Sequence, residues 1–313
     1  MSDKVTIFDT TLRDGEQTAG VCFSAAEKLE IAQALALMGV DVIEAGFPAA
    51  SVAEREAVAG VARGVRGATI CALARAVPYD VEVAAESVAE AERSRVHTFI
   101  NSSEVQLAHQ LRKGRREVVG MVEHAVAAAR RVCDDVEFSP MDATRSDRGF
   151  LAQLTRAAAF AGASTINLPD TVGCATPDQV ASLVEFIGVA LADAPVRPVV
   201  SFHGQDDLGM ATANAVAAVA AGAGQVELAV NGIGERAGNT AFEEVVAALS
   251  VHGDRLGVET GIDLRRIGAV SELVERHAGI AVPPNKAVVG RNAFRHASGI
   301  HQDGVIKERS TYE

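Results

Sequence analysis

Residues 5–17 read VTIFDTTLRDGEQ, and this stretch decides between two fold classes. The β-branched and aromatic run at 5–8 predicts a buried strand. An open doubly wound sheet normally follows its first strand with a glycine-rich dinucleotide turn. Here the strand runs into TTLRDGEQ, which contains no GxGxxG pattern. The turn therefore disfavours an open nucleotide-binding sheet and favours a closed barrel.

The rest of the chain repeats a strand followed by a helical segment. Apolar runs predict eight strands, at 5–8, 40–44, 68–73, 96–100, 136–138, 165–168, 199–202 and 226–230. Amphipathic Ala-rich segments between them predict helices, including 24–38, 116–131, 178–191 and 211–221, and a last one over about 241–251. Ser24 with Glu27 forms a capping box, and Thr176 before Pro177 supplies an N-cap and N1 pair. Eight such units predict an α/β fold, a (β/α)8 TIM barrel over residues 1–252.

Residues 253–313 have a different character. They contain scattered glycines, the Pro283-Pro284 pair and the stretch GRNAFRHASGIHQDG. We expect a small C-terminal subdomain of helices and loops after the barrel. The sequence stops at 310–313 without a terminating signal, which predicts a truncated or naturally short chain.

The composition argues against a nucleic acid or a membrane as the partner of this chain. The chain has 313 residues, 48% of them apolar, and a formal net charge of −12 without a Lys/Arg cluster that indicates a nucleic-acid surface. No apolar run is long enough for a membrane span, and the first residues lack a signal-peptide core. The four cysteines are scattered without CxxC spacing, which favours a reduced cytoplasmic protein over a thiolate metal site.

Polar side chains stand at the ends of nearly all predicted strands. In a TIM barrel, the chemistry lies at the carboxyl ends of the strands, and barrel closure points these ends at one another. The residues concerned are Asp9, Arg13, Asp14, Glu44, His97, Asn101, Asp142, Arg145, Asn167, Asp170, Thr171, His203, Gln205, Asp206, Asp207 and Asn231. Individually, a His at a strand end is most often structural and an Asp is often a helix cap. Their convergence on one rim predicts an active site.

Six stretches, in order, carry a family resemblance. They are DTTLRDGEQTAGVCFSAAEKLEIA, VDVIEAGFPAAS, INLPDTVGCATPDQV, DDLGMATANAVAAVAAGA, VNGIGERAGN and HASGIHQDG. Together they resemble the 2-isopropylmalate, homocitrate and citramalate synthase family of metal-dependent barrel acyltransferases. The resemblance covers essentially the whole chain. It implies condensation of acetyl-CoA with a 2-oxo acid, followed by thioester hydrolysis, and it leaves the identity of the oxo acid open.

The resemblance also implies roles for individual residues. The divalent metal (Mg2+, Mn2+ or Zn2+) would be held by Asp14 and His203, with Gln205 and Asn239 as further candidates. Arg13 would stabilise the developing oxyanion as a catalytic and substrate-binding residue, since a fixed guanidinium suits that role. His97 and Thr171 would bind the oxo acid. His301, in the tail, would act as a catalytic residue in the active site of a partner subunit, which implies a homodimer whose C-terminal segment is both lid and dimer contact.

Two positions depart from the family pattern. The family has His-x-His on the seventh strand, whereas this chain reads His203-Gly204-Gln205. Glutamine offers a neutral amide oxygen, a weaker and harder donor than imidazole, so a weakly bound metal is expected. After the fifth strand the family has Phe-Ser-x-Glu, whereas Met141 stands here in place of the glutamate. A methionine side chain cannot accept a proton.

These departures leave three interpretations open. The chain is a condensing enzyme with an altered oxo acid, a related metal-dependent lyase or aldolase that runs carbon–carbon chemistry in the other direction, or a binding or partner subunit without the chemistry. Retention of Arg13, Asp14, Thr171, His203 and His301 favours an enzyme, and we expect the first.

Overall fold

The protein is a single parallel barrel surrounded by helices. The computed structural model describes residues 2–312. Its strands are β1 Asp3–Lys4, β2 Thr6–Asp9, β3 Val42–Gly46, β4 Thr69–Arg75, β5 Ser94–Asn101, β6 Val136–Met141, β7 Thr165–Asp170, β8 Val199–Gly204, β9 Gln225–Leu228 and β10 Val258–Glu259. Strands β2 to β9 pair in sequence order and close into an eight-stranded barrel. The predicted TIM barrel is confirmed.

Helices follow the barrel strands, as the βα repeat requires. They are α1 Ala25–Met38, α2 Val52–Gly64, α3 Pro78–Val88, α4 Glu104–Gln106, α5 Arg115–Arg130, α6 Arg148–Ala161, α7 Pro177–Ala190, α8 Ala211–Ala220, α9 Phe242–Leu256, α10 Ile267–Ala278 and α11 Gly299–Lys307. The predicted capping box of Ser24 with Glu27 is present at the start of α1. Helix α7 begins as predicted, with Thr176 at the N-cap and Pro177 at N1, and the Thr176 N–H also donates to the Gln179 side chain (3.0 Å). Among residues 2–312, no helix is both long and apolar enough to cross a membrane.

The hydrophobic core lies between the barrel and its helices. Residues on the outward face of the strands, such as Ile43 and Ile70, are fully buried and belong to one cluster with helix residues such as Val58. Inward-facing positions are instead largely polar, including Arg95 and Glu137, which form a buried ion pair of 2.8 Å. Adjacent residues in a strand point to opposite sides, so the same strands build the core and the polar interior.

Strand β6 is longer than the run 136–138 predicted for it. It continues to Met141, because Pro140 pairs with β5 after pairing with β7 has ended at Phe138. Proline has no N–H to donate to a neighbouring strand. It is tolerated at position 140 because β7 no longer pairs with β6 there. Conversely, β9 stops at Leu228 rather than at 230, since Asn231 takes a left-handed conformation with φ of 61°. The extension of β6 places Met141 at the mouth of the barrel.

Candidate active site

A cavity of about 280 Å³ opens at the carboxyl ends of the barrel strands. It is lined by Arg13, Asp14, Gln17, Leu73, His97, Phe99, Ser139, Met141, Asn167, Pro169, Thr171, His203, Gln205, Glu227, Glu235 and Arg236. The cavity is thus lined by six of the eight site residues predicted from the sequence, and Asn239 pairs through its backbone with Gln205, one of the six. Of the strand-end residues that the sequence places on one rim, seven line the cavity, namely Arg13, Asp14, His97, Asn167, Thr171, His203 and Gln205.

The turn after β2 presents Arg13 and Asp14. Asp9 fixes the turn by accepting hydrogen bonds from the backbone N–H of Thr11 (2.9 Å) and from its hydroxyl (3.0 Å). Arg13 Nε donates to Glu44 Oε2 at 2.6 Å, and its Nη1 lies 3.1 Å from Asp14 Oδ2. The guanidinium is therefore held rigidly between two carboxylates at the cavity wall.

Asp14, His203, Gln205 and Asn239 form one cluster. Asp14 Oδ2 lies 3.3 Å from His203 Nε2, and the Gln205 amide nitrogen lies 3.3 Å from that oxygen and 3.2 Å from that ring nitrogen. Asn239 is joined to Gln205 by a backbone β-bridge. Adjacent ligand atoms of an octahedral ion with bonds of about 2.1 Å are roughly 3 Å apart, so these spacings suit a shared cation.

Oxygen atoms without partners support this assignment. The side-chain oxygens Asn167 Oδ1, Gln205 Oε1, Glu227 Oε1 and Asn239 Oδ1 are buried and have no hydrogen-bond partner among residues 2–312. A buried acceptor without a donor costs roughly 1–3 kcal/mol. A cation near Gln205 and Asn239 relieves that cost, once the Gln205 amide is turned so that its oxygen replaces its nitrogen. The residues present therefore fit a divalent metal.

Electrostatics favour a deprotonated Asp14 and an oriented His203. Burial raises the pKa of Asp14, but Arg13 and His203 outweigh burial and hold that pKa well below its usual range. Burial lowers the pKa of His203, and its contacts with Asp14 and Glu227 outweigh burial and raise it to about 10. Glu227 Oε2 lies 2.8 Å from His203 Nδ1. A carboxylate at Nδ1 orients the ring so that Nε2 faces Asp14, as is common for metal-binding histidines.

Two further groups of side chains have spacing compatible with a metal. They are Glu44 with Cys71 and His97, and His97 with Glu137 and Glu227. Both ring nitrogens of His97 are already hydrogen-bonded, to Glu44 and Ser139. Burial raises the pKa of Cys71 well above its usual value, which keeps it a neutral thiol. The cluster around Asp14 is therefore the better candidate for a metal site.

The remaining walls divide into polar and apolar sides. Thr171 Oγ1 accepts a hydrogen bond from the backbone N–H of Asp142 (2.9 Å), so its own proton is available to the cavity. The apolar side consists of Leu73, Phe99, Met141 and Pro169. Met141 contacts Asn101, whose Nδ2 lies 3.9 Å from the Met141 sulfur. The position where a glutamate was expected is therefore part of an apolar wall.

Arg236 connects the loops that follow three neighbouring strands. It donates to both Asp207 oxygens (2.8 and 2.7 Å) and to the carbonyl oxygen of Thr171 (2.7 Å). Sequence reasoning placed Arg236 only within a motif and gave it no role. Glu227 was also missed, because its contact with His203 depends on the register of two strands.

His301 lies outside the cavity. It is exposed on α11, and its ring packs against Tyr312 with centroids 4.2 Å apart. The single chain therefore brings together all predicted site residues except His301.

The chain matches two protein families and is similar in sequence to known enzymes. Residues 4–274 match the family described as HMGL-like, and residues 288–313 match the homocitrate synthase post-HMGL domain-like family. The chain is 55% identical over 313 residues to 2-isopropylmalate synthase of Pyrococcus furiosus, covering 100% of this chain and 62% of that protein. It is 53% identical over 312 residues to 2-isopropylmalate synthase of Acidimicrobium ferrooxidans, covering 99% of this chain and 60% of the relative. The chain thus spans about three fifths of the length of these curated relatives.

Solved structures share the architecture at low sequence identity. Hydroxymethylglutaryl-CoA lyase from Pseudomonas aeruginosa has a TM-score of 0.75 and 23% identity, over 90% of this chain and 95% of that chain. HMG-CoA lyase from Brucella melitensis has a TM-score of 0.72 and 24% identity, over 89% of this chain and 100% of that chain. These likenesses concern the fold alone. The match over residues 4–274 shows that the chain belongs to the HMGL-like family.

Proposed function

We propose that this chain is an acetyl-CoA-dependent acyltransferase that condenses acetyl-CoA with a 2-oxo acid to give a 2-alkylmalate-type product. The observation that carries the proposal is the meeting of Arg13, Asp14 and His203 at the barrel mouth, with atoms 3.1–3.3 Å apart. The naming of relatives as 2-isopropylmalate synthase supports this reaction over a lyase or a non-catalytic role.

Asp14 and His203 would hold a divalent metal, with Gln205 and Asn239 as further ligands. When bound, such an ion polarises the keto oxygen of a chelated 2-oxo acid as a Lewis acid. The available donors are one carboxylate, one imidazole and two amide oxygens. This oxygen-rich set favours Mg2+ or Mn2+ over Zn2+.

The chain's own residues orient the substrate and stabilise charge. Arg13 is fixed by Glu44 at 2.6 Å and presents its guanidinium to the cavity, where it would stabilise the developing oxyanion. The Thr171 hydroxyl would donate to the oxo-acid carboxylate. His97 would line the same pocket. Leu73, Phe99 and Pro169 would exclude water from the oxo-acid side chain.

A homodimer would complete the site with His301. The tail carries apolar side chains that are largely exposed in one chain, with Phe294 76%, Ile300 78% and Ile306 84% exposed. Burying such residues against a second copy removes apolar surface from water. Residues 253–313 would then serve as the lid and dimer segment. Free thiols at all four cysteines support a reducing compartment, and we place the protein in the cytoplasm.

The test is a substrate screen. Acetyl-CoA is incubated with a series of 2-oxo acids and with Mg2+, Mn2+ or Zn2+, and released CoA thiol is measured. We expect thiol release that depends on both the oxo acid and the metal. Thiol release without an oxo acid, or cleavage of a 2-alkylmalate thioester alone, would replace the proposal with a hydrolase or a lyase.

A further inference from the structure

A buried lysine lies near the start of α1, outside the site described above. The side chain of Lys28 is only 1% exposed. Lysine is rarely buried to this extent unless its ammonium is paired, because an unpaired charge is costly away from water. A cation near the start of a helix also lies at the positive end of the helix dipole. Both placements are unfavourable for an ammonium, so the partners of Lys28 must account for its position.

Two carboxylates hold this ammonium. Lys28 Nζ lies 2.7 Å from Glu16 Oε2, and 2.9 and 2.8 Å from the two carboxylate oxygens of Glu54. Glu16 belongs to the loop after β2, and Glu54 to the first turn of α2, which follows β3. Exchange of a buried ion pair for apolar residues is often neutral for stability. The role of the contact therefore lies in the segments that the two carboxylates hold.

Each carboxylate also fixes the backbone of a loop. Glu16 Oε1 accepts the N–H of Phe23 at 2.9 Å, which closes the loop after β2. Glu54 Oε1 accepts the N–H of Phe47 at 3.0 Å, in the loop after β3. Glu54 can approach this closely because residue 46 is glycine, since a Cβ there would lie 1.9 Å from Glu54 Oε1. The two loops are thus tied to the same ammonium.

The loop after β2 also carries two residues of the cavity wall. Arg13 and Asp14 come directly before the short 3-10 helix Gly15–Gln17, which contains Glu16. The N–H of Gln17 donates to the carbonyl oxygen of Asp14 at 3.0 Å. The direction in which the Asp14 carboxylate points therefore depends on the position of this turn.

We propose that Lys28 is a positioning residue for the metal site, which acts through Glu16 to fix the turn that presents Arg13 and Asp14. The proposal rests on the metal-dependent condensation proposed above. Without the ammonium, the Glu16 carboxylate, which is already 21% exposed, should turn toward water and release the loop. The distance of 3.3 Å between the ligand atoms of Asp14 and His203 would then no longer be maintained.

The first measurement is hydrogen–deuterium exchange in the metal-free protein, because it does not depend on activity. The amides of Gln17, Thr18, Val21 and Phe23 are hydrogen-bonded within the loop after β2. Lys28→Met removes the charge and keeps a long unbranched side chain. It should speed exchange of these amides by about ten-fold, the effect of losing a hydrogen bond to a charged group. Exchange in β6, on the opposite side of the barrel, should stay unchanged.

The second measurement is titration calorimetry with Mn2+. Lys28→Met should weaken Mn2+ binding by about ten-fold, the usual size of effects from residues that support metal ligands. Glu16→Ala should have the same effect, and because both act through one contact, the double variant should lose no more than either single variant. Glu16→Gln still offers an oxygen to Lys28 and to the N–H of Phe23, so it should keep the affinity within about three-fold.

Lys4→Met is the control. Lys4 pairs with Asp41, whose other carboxylate oxygen accepts the N–H of Ile7 at 2.9 Å. The variant therefore removes the same kind of contact at the amino end of the barrel. It should change neither the Mn2+ affinity nor the exchange of the amides in the loop after β2.

The outcomes separate this proposal from the condensation. Parental Mn2+ affinity in Lys28→Met, losses that add in the double variant, or faster exchange throughout the barrel would overturn the positioning role and leave the condensation intact. If the parent itself binds no Mn2+ with any 2-oxo acid, the metal site of the proposed function fails, and the role of Lys28 fails with it.

Discussion

Gln205 is the residue on which metal binding by the proposed cluster of Asp14, His203, Gln205 and Asn239 depends. Its amide lies within 3.3 Å of Asp14 and 3.2 Å of His203, and its oxygen is buried without a partner. An amide oxygen is neutral and hard, whereas imidazole binds Zn2+ and other borderline ions more tightly. The side chain is therefore placed to act as a ligand and is chemically a weak one.

Gln205→His should tighten binding of Zn2+ and Mn2+ by ten-fold or more. Even changes outside the ligand set alter metal affinity by about 10–100-fold, and this change adds an imidazole ligand. Titration calorimetry on the parent and the variant measures the effect. Gln33→His, which adds a histidine on the exposed face of α1, is the control. Equal affinities in the parent and in Gln205→His would exclude residue 205 from the ligand set.

Asp9 should make stability depend on pH. Burial raises its pKa from 3.8 to about 7, despite hydrogen bonds from Thr11 that lower it. The folded state therefore holds a proton that the unfolded state releases. The contribution of this proton to the free energy of unfolding is fully present below pH 3.8. It is lost as the pH rises through 7, and the loss is on the order of 4 kcal/mol.

Asp9→Asn should flatten that dependence. Urea unfolding between pH 5 and pH 8 should show the parent losing stability relative to the variant as pH rises. An unchanged difference in the free energy of unfolding across this range would mean that Asp9 does not titrate there.

The site residues at the strand ends could be predicted from the sequence, but the contacts between side chains of different strands could not. Asp14, His203 and Gln205 follow from placement on the rim and from the resemblance. The contact between Glu227 and His203 joins residues 24 positions apart. It exists because register sets Glu227 opposite His203 on adjacent strands. A sequence pattern carries no such register, so this contact and the link from His97 to Ser139 required the structure.

At the scale of elements, Arg236 ties together the loops after β7, β8 and β9. Each of these loops carries a site residue, namely Thr171, Gln205 and Asn239. Arg236 holds a left-handed conformation with φ of 55° and bonds to Asp207 through two nitrogens. A planar guanidinium with several N–H donors can bond to the Asp207 carboxylate and to the Thr171 carbonyl at the same time.

Arg236→Ala should weaken Mn2+ binding by roughly ten-fold, because a misplacement of about 1 Å in supporting residues spoils a site. The melting temperature should change little, since the side chain is 43% exposed. Arg236→Lys should not restore affinity, because an ammonium lacks the fork. Arg265→Ala, which removes a similar two-point contact with the half-buried Asp263, is the control. Unaltered Mn2+ affinity in Arg236→Ala would show that the loops hold their positions without it.

The extents of the elements were predicted less well than their order. The eight strands follow from the local apolar pattern, and the capping box at Ser24 and the N-cap at Thr176 follow from cap chemistry. The end of β6 does not, because Pro140 normally stops a strand and is tolerated here only beside a neighbour whose pairing has ended. Helix α9 extends to Leu256, where Gly257 ends it in a left-handed conformation, beyond the predicted residue 251.

At the scale of the whole molecule, the tail after α10 is mostly exposed. Helix α11 has no buried residue, and Ile300 and Ile306 on it are 78% and 84% exposed. Such apolar exposure is typical of a surface that contacts another chain.

Light scattering at micromolar concentration should give the mass of a dimer. Changing both Ile300 and Ile306 to Asp should shift the mass to that of a monomer, because charge at an apolar contact is costly. Val189→Asp, at a 76% exposed position on α7, should remain dimeric. A parent that stays monomeric under these conditions would refute the assembly and the role of His301.

The central claim is that Asp14 and His203 hold a divalent cation shared with a 2-oxo acid. The most direct test is titration of Mn2+ into the protein with and without a saturating 2-oxo acid. We predict at least ten-fold tighter Mn2+ binding with the oxo acid, since the acid would supply oxygen ligands of its own to the bound metal. Asp14→Asn should abolish Mn2+ binding both with and without the oxo acid. Asp178→Asn, at the start of α7, should change neither of these two affinities. Absence of Mn2+ binding under every condition, or full binding in Asp14→Asn, would contradict the claim.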